Sequence, residues 1–227
     1  GLDEYLSGLT LAFLMVAFTM LLLGVIFVSL IAGDILAKES EDGNLRLLLV
    51  RPISRFRLLL LKFLSCQIYT TTLFLFVAAS SLFIGCLGQG WRGKMLVAAP
   101  DLPKVSLFDW WEGMGRYFFA ILGFSVVYLP VIGIAFLLGS LRVKPATATI
   151  VTIAILIADR IMGKMPLEAF DPYRDYFITS RMDAWYLLLY QEIPWARFLE
   201  QSAWLLGIGL TGFVVGWLVF ERRDIKS

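Results

Sequence analysis

The sequence predicts an all-helical (all-α) polytopic membrane protein, and three observations lead to that prediction. Hydrophobic residues make up 59% of the 227 residues and charged residues only 17%, whereas soluble domains are nearer half apolar and a quarter charged. The apolar residues fall in long runs that contain almost no charge. Lysine and arginine concentrate in short segments between some of these runs. Together these features predict a single transmembrane domain over residues 1–227.

Five runs are predicted to be transmembrane helices. A helix rises about 1.5 Å per residue, so it needs roughly 20 apolar residues to cross a hydrocarbon core ~30 Å thick. The least apolar run ends at the pair Asp159-Arg160, so it spans by tilting or by local thinning of the bilayer. Pro130 is expected to kink the third run. The predicted spans are 9–33, 63–87, 117–141, 144–161 and 202–220.

The distribution of basic residues predicts which ends of the spans face the cytoplasm. Cytoplasmic loops carry an excess of Lys and Arg, and the densest basic segments are 34–62, 142–145 and the tail after 220. The long loops 88–116 and 162–201 then lie outside. We therefore expect a multi-pass protein of the cell (inner) membrane with a cytoplasmic C-terminus. Because five spans in this orientation leave the first residue outside, we also expect a further helix before it.

The segment 34–62 is too charged to cross a bilayer and too apolar to be a plain solvated loop. Leu45, Leu48 and Leu49 have the i, i+3, i+4 spacing of a short amphipathic helix, which must end before Pro52. Two interpretations stay open on physical grounds. The helix either lies on anionic lipid headgroups or forms a surface for a cytoplasmic partner.

The outer loops contain one misleading motif and one apolar stretch. Residues 88–95 (GQGWRGKM) match the first part of a phosphate-binding loop. Such a loop needs a preceding strand, a following helix and a Ser or Thr for magnesium. Here a predicted span precedes it and Met95 follows the lysine, so we interpret the match as chance. In 162–201, Trp185, Leu187 and Leu188 predict a helix that lies in or dips into the outer interface, broken at Pro194.

Two features of the later spans are candidates for packing or function. The pair Asp159-Arg160 is either a functional intramembrane pair or an interfacial anchor. In the last span, Gly212 and Gly216 form a G-x-x-x-G pattern that Gly207 extends. Small residues at this spacing let helices approach closely, either within one subunit or across a dimer.

The composition argues against several classes of function. The chain has no histidine, so it has no His-based triad and no histidine metal site. Its carboxylates show no metal-ligand spacing. We therefore expect no catalytic residue, no bound metal and no cofactor in this chain. The net charge is only +2, without a basic block, which argues against nucleic-acid binding.

The residues of 39–62 resemble the signature of ABC-2 type permeases, the membrane-spanning subunits of ABC-type transporters. In that family an acidic cluster, Gly-Thr-Leu, a leucine run, Pro-Val-Ser-Arg and a lysine follow the second helix. The corresponding residues are Glu39-Ser-Glu-Asp-Gly-Asn-Leu45, Leu48-Leu-Val-Arg-Pro-Ile-Ser-Arg55 and Lys62. The C-terminal Phe220-Glu-Arg-Arg-Asp-Ile225 and the stretch Ile193-Pro-Trp195 are also similar to the family. Asn44 in place of Thr and Leu61 in place of Gly depart from its pattern, and the family would have six spans.

The resemblance implies a role for 34–62 as a cytoplasmic coupling segment. Its residues 39–51 would form a coupling helix that docks into a cleft of a separate ATPase subunit, which would hold ATP and magnesium. The resemblance also implies a dimer with a second permease copy or a paralogue, embedded in the lipid bilayer and bound to two ATPase copies. The implied docking residues are Glu39, Glu41, Asp42, Gly43, Arg46, Arg51 and Pro52.

The function implied by the resemblance is ATP-driven export of a substrate that the sequence does not identify. The substrate would pass between two permease copies, along small polar and apolar residues that suit a lipid, a peptide or a hydrophobic drug. That lining is expected to include Thr70, Thr71, Thr72, Ser80 and Ser81. Two alternatives stay open. One is a mechanical transmitter that relays ATP hydrolysis to an extracytoplasmic partner, for cofactor assembly or motility. The other is a non-transporting membrane scaffold.

Overall fold

A computed structural model describes residues 7–41, 54–98, 105–141, 143–166 and 168–222, and these are mostly helical. The chain divides into two compact units. Unit 1 comprises Gly1–Gly24, Thr71–Val127 and Asp183–Ser202, and unit 2 comprises Val25–Thr70, Tyr128–Met182 and Ala203–Ser227.

The described α-helices are numbered in chain order. They are α1 (Gly8–Thr19), α2 (Val25–Glu41), α3 (Arg55–Gln89), α4 (Trp110–Val127), α5 (Leu129–Ser140), α6 (Pro145–Lys164), α7 (Ile178–Met182) and α8 (Trp195–Glu221). A π-helical turn, Met20–Gly24, joins α1 to α2, and 3₁₀-helices at Glu168–Tyr176 and Asp183–Leu189 flank α7. Strands β1 (Met95–Val97) and β2 (Ser106–Phe108) pair antiparallel, with Met95 opposite Phe108.

Four described helical stretches are long and apolar enough to cross a membrane: α3, α4 together with α5, α6, and α8. They correspond to the last four predicted spans, which confirms a membrane protein with several apolar helices. The predicted span 9–33 falls on α1, the π-helical turn and α2. There the π turn interrupts the regular α-helix, so neither α-helix alone has the length of a span.

The helical run is interrupted just before Pro130, where the sequence predicted a kink. Helix α4 ends at Val127, Tyr128 keeps right-handed backbone angles (φ −85°, ψ −2°), and Pro130 lies in the first turn of α5. A proline is tolerated there because the first turn of a helix has no internal partner for its N–H groups.

Unit 1 packs α1 against the short sheet and against α4. The Thr10 hydroxyl at the start of α1 accepts a hydrogen bond from the Leu96 N–H at 2.9 Å. The sheet is a difference from the all-helical prediction. It forms because Gly90 and Gly93, both with positive φ, turn the chain after α3, and because Met95 and Val97 then alternate with a partly exposed residue to face the interior.

The apolar stretch Asp183–Leu189 of the predicted outer loop 162–201 belongs to unit 1. Trp185 is buried and stacks on Phe124 of α4, with ring centroids 4.3 Å apart. Leu188 is buried where it meets Gly123, which has no side chain to exclude it. Trp185 and Leu188 are therefore covered by protein, and the placement of this stretch in or dipping into the outer interface stays a prediction.

Unit 2 packs α2 between α5 and α6. Glycines allow two close helix approaches. A Cβ on Gly139 of α5 would lie 3.0 Å from the carbonyl oxygen of Gly33 in α2. A Cβ on Gly133 of α5 would lie 2.6 Å from the carbonyl oxygen of Gly209 in α8. These contacts bring backbones together and fix the helix arrangement of this unit.

Candidate functional site

The ends of α2, α3, α6 and α8 meet at one end of unit 2, which we call the basic end. The Arg55 guanidinium at the start of α3 donates to the carbonyl oxygen of Glu221, the last residue of α8, at 3.0 Å. The Lys62 ammonium donates to the carbonyl oxygen of Ile35 in α2 at 3.1 Å. These contacts bring together the described parts of the segments 34–62 and 220–222, two of the three that the sequence predicted to share one side of the membrane.

The start of α6, which follows the third basic segment, joins the same end. Asp34 and Lys38 of α2 line an open groove of about 440 Å³ with Pro145 of α6. Lys144 is the residue that precedes the first turn of α6. The described ends of these three segments therefore lie close together in unit 2. Their placement on the cytoplasmic side stays a prediction.

Helix-end chemistry explains why α3 begins where it does. The Ser54 hydroxyl accepts a hydrogen bond from the Arg57 N–H at 3.3 Å, which supplies a partner for one of the unpaired N–H groups of the first turn. Arg55 satisfies one of the last carbonyl groups of α8 and places a positive charge at the negative end of that helix.

Aromatic packing fixes the first turns of α3 to α8 and α5. The Phe56 ring contacts Phe213 and Trp217 edge-on, with centroids 5.9 Å and 5.2 Å away. One to two turns later, Phe63 lies 5.0 Å from Phe213 and 5.5 Å from Phe136 of α5. The start of α3 is thus attached to two other helices of unit 2.

The structure describes only the backbone of two of the predicted docking residues. Glu39 and Glu41 belong to the last turn of α2, and their side chains lie outside the described part of the structure. Asp42, Gly43, Arg46, Arg51 and Pro52 also lie outside the described residues. Docking to an ATPase through these residues stays a prediction, and the described contacts belong to the two helices that flank them.

The glycines of α8 differ in their surroundings. A Cβ on Gly212 would lie 2.5 Å from the carbonyl oxygen of Gly133, and one on Gly216 would lie 2.9 Å from the Ser140 hydroxyl. A Cβ on Gly207 would meet no described atom within 4 Å. The close approach within unit 2 also uses Gly209, which the G-x-x-x-G pattern did not include. Its only sequence signal is that it is another glycine in a membrane helix.

Most of the polar residues expected to line a pathway form hydrogen bonds with neighbouring groups of the protein. The Thr70 hydroxyl donates to the Cys66 carbonyl oxygen at 2.8 Å, and the Ser80 hydroxyl donates to that of Phe76 at 2.8 Å. Thr71 contacts the Ser125 hydroxyl of α4 at 3.2 Å. Ser81 is buried, while Thr72 is exposed.

The stretch 88–95 has the wrong surroundings for a phosphate-binding loop. Helix α3 precedes it and strand β1 follows it, which is the reverse of the strand-loop-helix order. The Lys94 ammonium lies 3.9 Å from the Asp109 carboxylate, and both side chains are exposed. Among the described residues, no group of three or more His, Cys, Asp or Glu could hold a metal ion.

The Asp159 carboxylate accepts hydrogen bonds from the first residues of α7. The donors are the Ile178 N–H at 3.1 Å, the Thr179 N–H at 2.7 Å and the Thr179 hydroxyl at 2.6 Å. These bonds satisfy the N–H groups at the start of a short helix. The geometry therefore favours a structural role for Asp159.

Comparisons with known proteins identify a family. A family model described as "Protein of unknown function (DUF2705)" matches residues 3–226. The "Uncharacterized protein YhcI" of Bacillus subtilis (strain 168) is 23% identical over 214 residues. That alignment covers 89% of this chain and 64% of the relative, so the chain spans less than two thirds of the relative's length. No solved structure matches the chain. The chain belongs to the DUF2705 family.

Proposed function

We propose that this chain is the permease subunit of an ABC-type transporter, and that it couples ATP hydrolysis by a separate ATPase to export of a substrate. One observation carries the proposal. The permease-like motif from Glu39 to Arg55 connects two helices, α2 and α3, that are both anchored at the basic end of unit 2. An ATPase that displaces this segment would therefore also displace α2 and α3.

The contacts of α3 supply a route for that movement within unit 2. Arg55 holds the last carbonyl of α8, and Phe56 packs between Phe213 and Trp217 of the same helix. Aromatic pairs of this kind contribute about 0.5–1.5 kcal/mol each beyond the area they bury. A displacement of the segment before α3 would then be shared with α8, because separating the two helices loses all of these contacts.

The finer topology forms part of the proposal. The helical stretch Gly8–Glu41 would be the first of five spans, crossing the membrane as α1, the π-helical turn and α2. The basic end would face the cytoplasm of the cell membrane, with the C-terminus on the same side. The positive charge of the segments that meet there supports this orientation.

The test is a pull-down of the full-length protein, tagged in its native host and extracted from membranes in a mild detergent. We expect an ABC ATPase at one copy per permease. The charge reversals Glu41→Lys and Arg46→Glu together should remove the ATPase. The matched control Lys94→Glu with Asp109→Lys reverses two charges of an exposed ion pair elsewhere and should retain it. Recovery of the chain with no nucleotide-binding partner would refute the proposal and favour a membrane scaffold.

One observation favours the alternative of force transmission to an extracytoplasmic partner. The region around the sheet is ordered against α1 through Thr10, yet Trp111 is 81% exposed and Trp91 is 58% exposed. Exposed aromatic side chains are frequent at protein interfaces as well as at membrane boundaries. If the pull-down also yields an extracytoplasmic protein, and Trp111→Ala releases that protein but not the ATPase, force transmission is the better description.

A further inference from the structure

An open groove lies along the last two turns of α6, on the side that faces away from the core of unit 2. Its volume is about 410 Å³. The groove is lined by Ile157, Arg160, Ile161, Lys164, Met165 and Pro166. It therefore combines two cations with apolar side chains at the end of a membrane-spanning helix.

Helical spacing explains how these residues share one face. Ile157, Ile161 and Lys164 are four and three residues apart, so they lie above one another on the helix surface. Leu156 and Gly163 lie about 100° around the helix from these residues. Leu156 is buried, and a Cβ on Gly163 would meet Ser180 and Phe177. Ile157 and Ile161 are more than half exposed. The groove is thus accessible from outside the protein.

The two cations are not neutralised by the described part of the protein. Arg160 and Lys164 are four residues apart, a spacing at which like charges destabilise a helix. Neither has a hydrogen-bond or ion-pair partner among the described residues. The adjacent acid, Asp159, turns the other way and bonds to Ile178 and Thr179. An anion in the groove would relieve the repulsion between the two cations.

We propose that this groove binds an anionic phospholipid, with the phosphodiester on Arg160 and Lys164 and an acyl chain along Ile157 and Ile161. Guanidinium and ammonium groups at a membrane boundary bind lipid phosphate through charge-assisted hydrogen bonds. Ile157 precedes Arg160 by three residues, and Ile161 precedes Lys164 by three. Each isoleucine therefore lies about 4.5 Å nearer the middle of the span than the cation that follows it on the same face. That arrangement matches a lipid, whose phosphate is polar and whose chains are apolar, better than a free phosphate ion.

The proposal does not depend on transport function, and the unaltered protein tests it first. The full-length protein is placed in vesicles of phosphatidylcholine, with or without one part in about ten of phosphatidylglycerol. Lysines are then acetylated with a water-soluble reagent and quantified by mass spectrometry. We expect phosphatidylglycerol to slow modification of Lys164 severalfold, while Lys94, with its exposed side chain, serves as the internal reference and is unchanged.

The other arms of this experiment distinguish the alternatives. Equal modification of Lys164 in both kinds of vesicle would overturn the proposal and leave two ordinary interfacial anchors. Protection by inorganic phosphate in vesicles without phosphatidylglycerol would also overturn it, since the site would then take a free anion.

Variants provide the second measurement, by native mass spectrometry of the protein in detergent with added dioleoyl phosphatidylglycerol. Arg160→Gln with Lys164→Gln should weaken binding about 30-fold, as expected for the loss of two cations at a membrane surface. The matched control Arg92→Gln with Arg197→Gln removes two positive charges from exposed positions outside the groove. Equal losses in both double variants, or no loss in the first, would contradict a specific site.

Discussion

Asp159 and Arg160 are neighbours in the sequence, but their side chains have different surroundings. Successive residues of a helix point about 100° apart. Asp159 therefore reaches α7, where it accepts three hydrogen bonds, while Arg160 lines the outer groove. The two residues therefore do not form one site. Asp159 has a structural role, whereas Arg160 lines the groove along α6.

Removing the Asp159 carboxylate is expected to destabilise the protein. Asp159→Ala leaves two backbone N–H groups and one hydroxyl without their acceptor, at a cost of about 1–3 kcal/mol. Asp159→Asn keeps one acceptor oxygen and should cost less. The measurement is the apparent thermal unfolding midpoint in detergent at one fixed heating rate, because unfolding of membrane proteins is often irreversible.

Thr179→Val is the matched control for that series, since it removes one of the three hydrogen bonds and keeps the shape of the side chain. Its midpoint should fall between those of the wild type and Asp159→Ala. An unchanged midpoint for Asp159→Ala would show that these bonds contribute nothing to stability.

At the scale of elements, contact between α5 and α8 depends on glycine. Gly133 of α5 faces Gly209 and Gly212 of α8 with backbone against backbone. Without a side chain at these positions, main chains approach closely and gain dispersion contacts and weak C–H···O bonds. The structure places Gly212 and Gly216 against α5 of the same chain, whereas a Cβ on Gly207, which the pattern also included, would meet no described atom within 4 Å.

Alanine substitutions in α8 should therefore have opposite outcomes. Gly212→Ala would place a Cβ 2.5 Å from the Gly133 carbonyl oxygen, so α5 and α8 must separate, with an expected loss of about 3 kcal/mol. Gly207→Ala meets no described atom within 4 Å and should leave stability unchanged or raise it by up to about 1 kcal/mol. Thermal unfolding midpoints of the two variants check this. Equal midpoints would mean that α5 and α8 do not approach as described.

The predicted outer loops contain elements that their apolar pattern alone does not define. The apolar residues of Asp183–Leu189 predicted a helix that lies in or dips into the outer interface, and Trp185 and Leu188 are covered by α4 and its neighbours. Apolar patterning shows that a face avoids water, but it does not distinguish lipid from protein as the cover. The two strands escaped prediction because three residues each are too short for a period-2 signal.

At the scale of the whole molecule, the length of α3 bears on the proposed membrane topology. Its 35 residues give a helix roughly 50 Å long, well beyond the ~30 Å hydrocarbon core. In the proposed topology, its two ends therefore project on opposite sides of the membrane.

Cysteine labelling of whole cells is expected to report this topology. Cys66 and Cys86 are buried, so the native thiols give a low background. Arg92→Cys, in an exposed position after α3, should react with a membrane-impermeant maleimide on intact cells. Arg57→Cys, in an exposed position at the start of α3, should react only after the cells are permeabilised. The reverse pattern would invert the proposed orientation and place the coupling segment outside.

The sequence by itself predicted a membrane protein, and four of its predicted spans overlap described helices that are long and apolar enough to cross a membrane. Helices α3, α4 and α8 nevertheless begin seven or eight residues before the predicted spans. The spans could be predicted because hydrophobic length is a local property of the chain, read over about 20 consecutive residues. Tertiary structure alone decided that Gly212 meets Gly133, that Asp159 holds α7, and that Trp185 is covered by protein. Each of these contacts joins residues that are distant in the sequence, and only the packing of whole helices selects which faces meet.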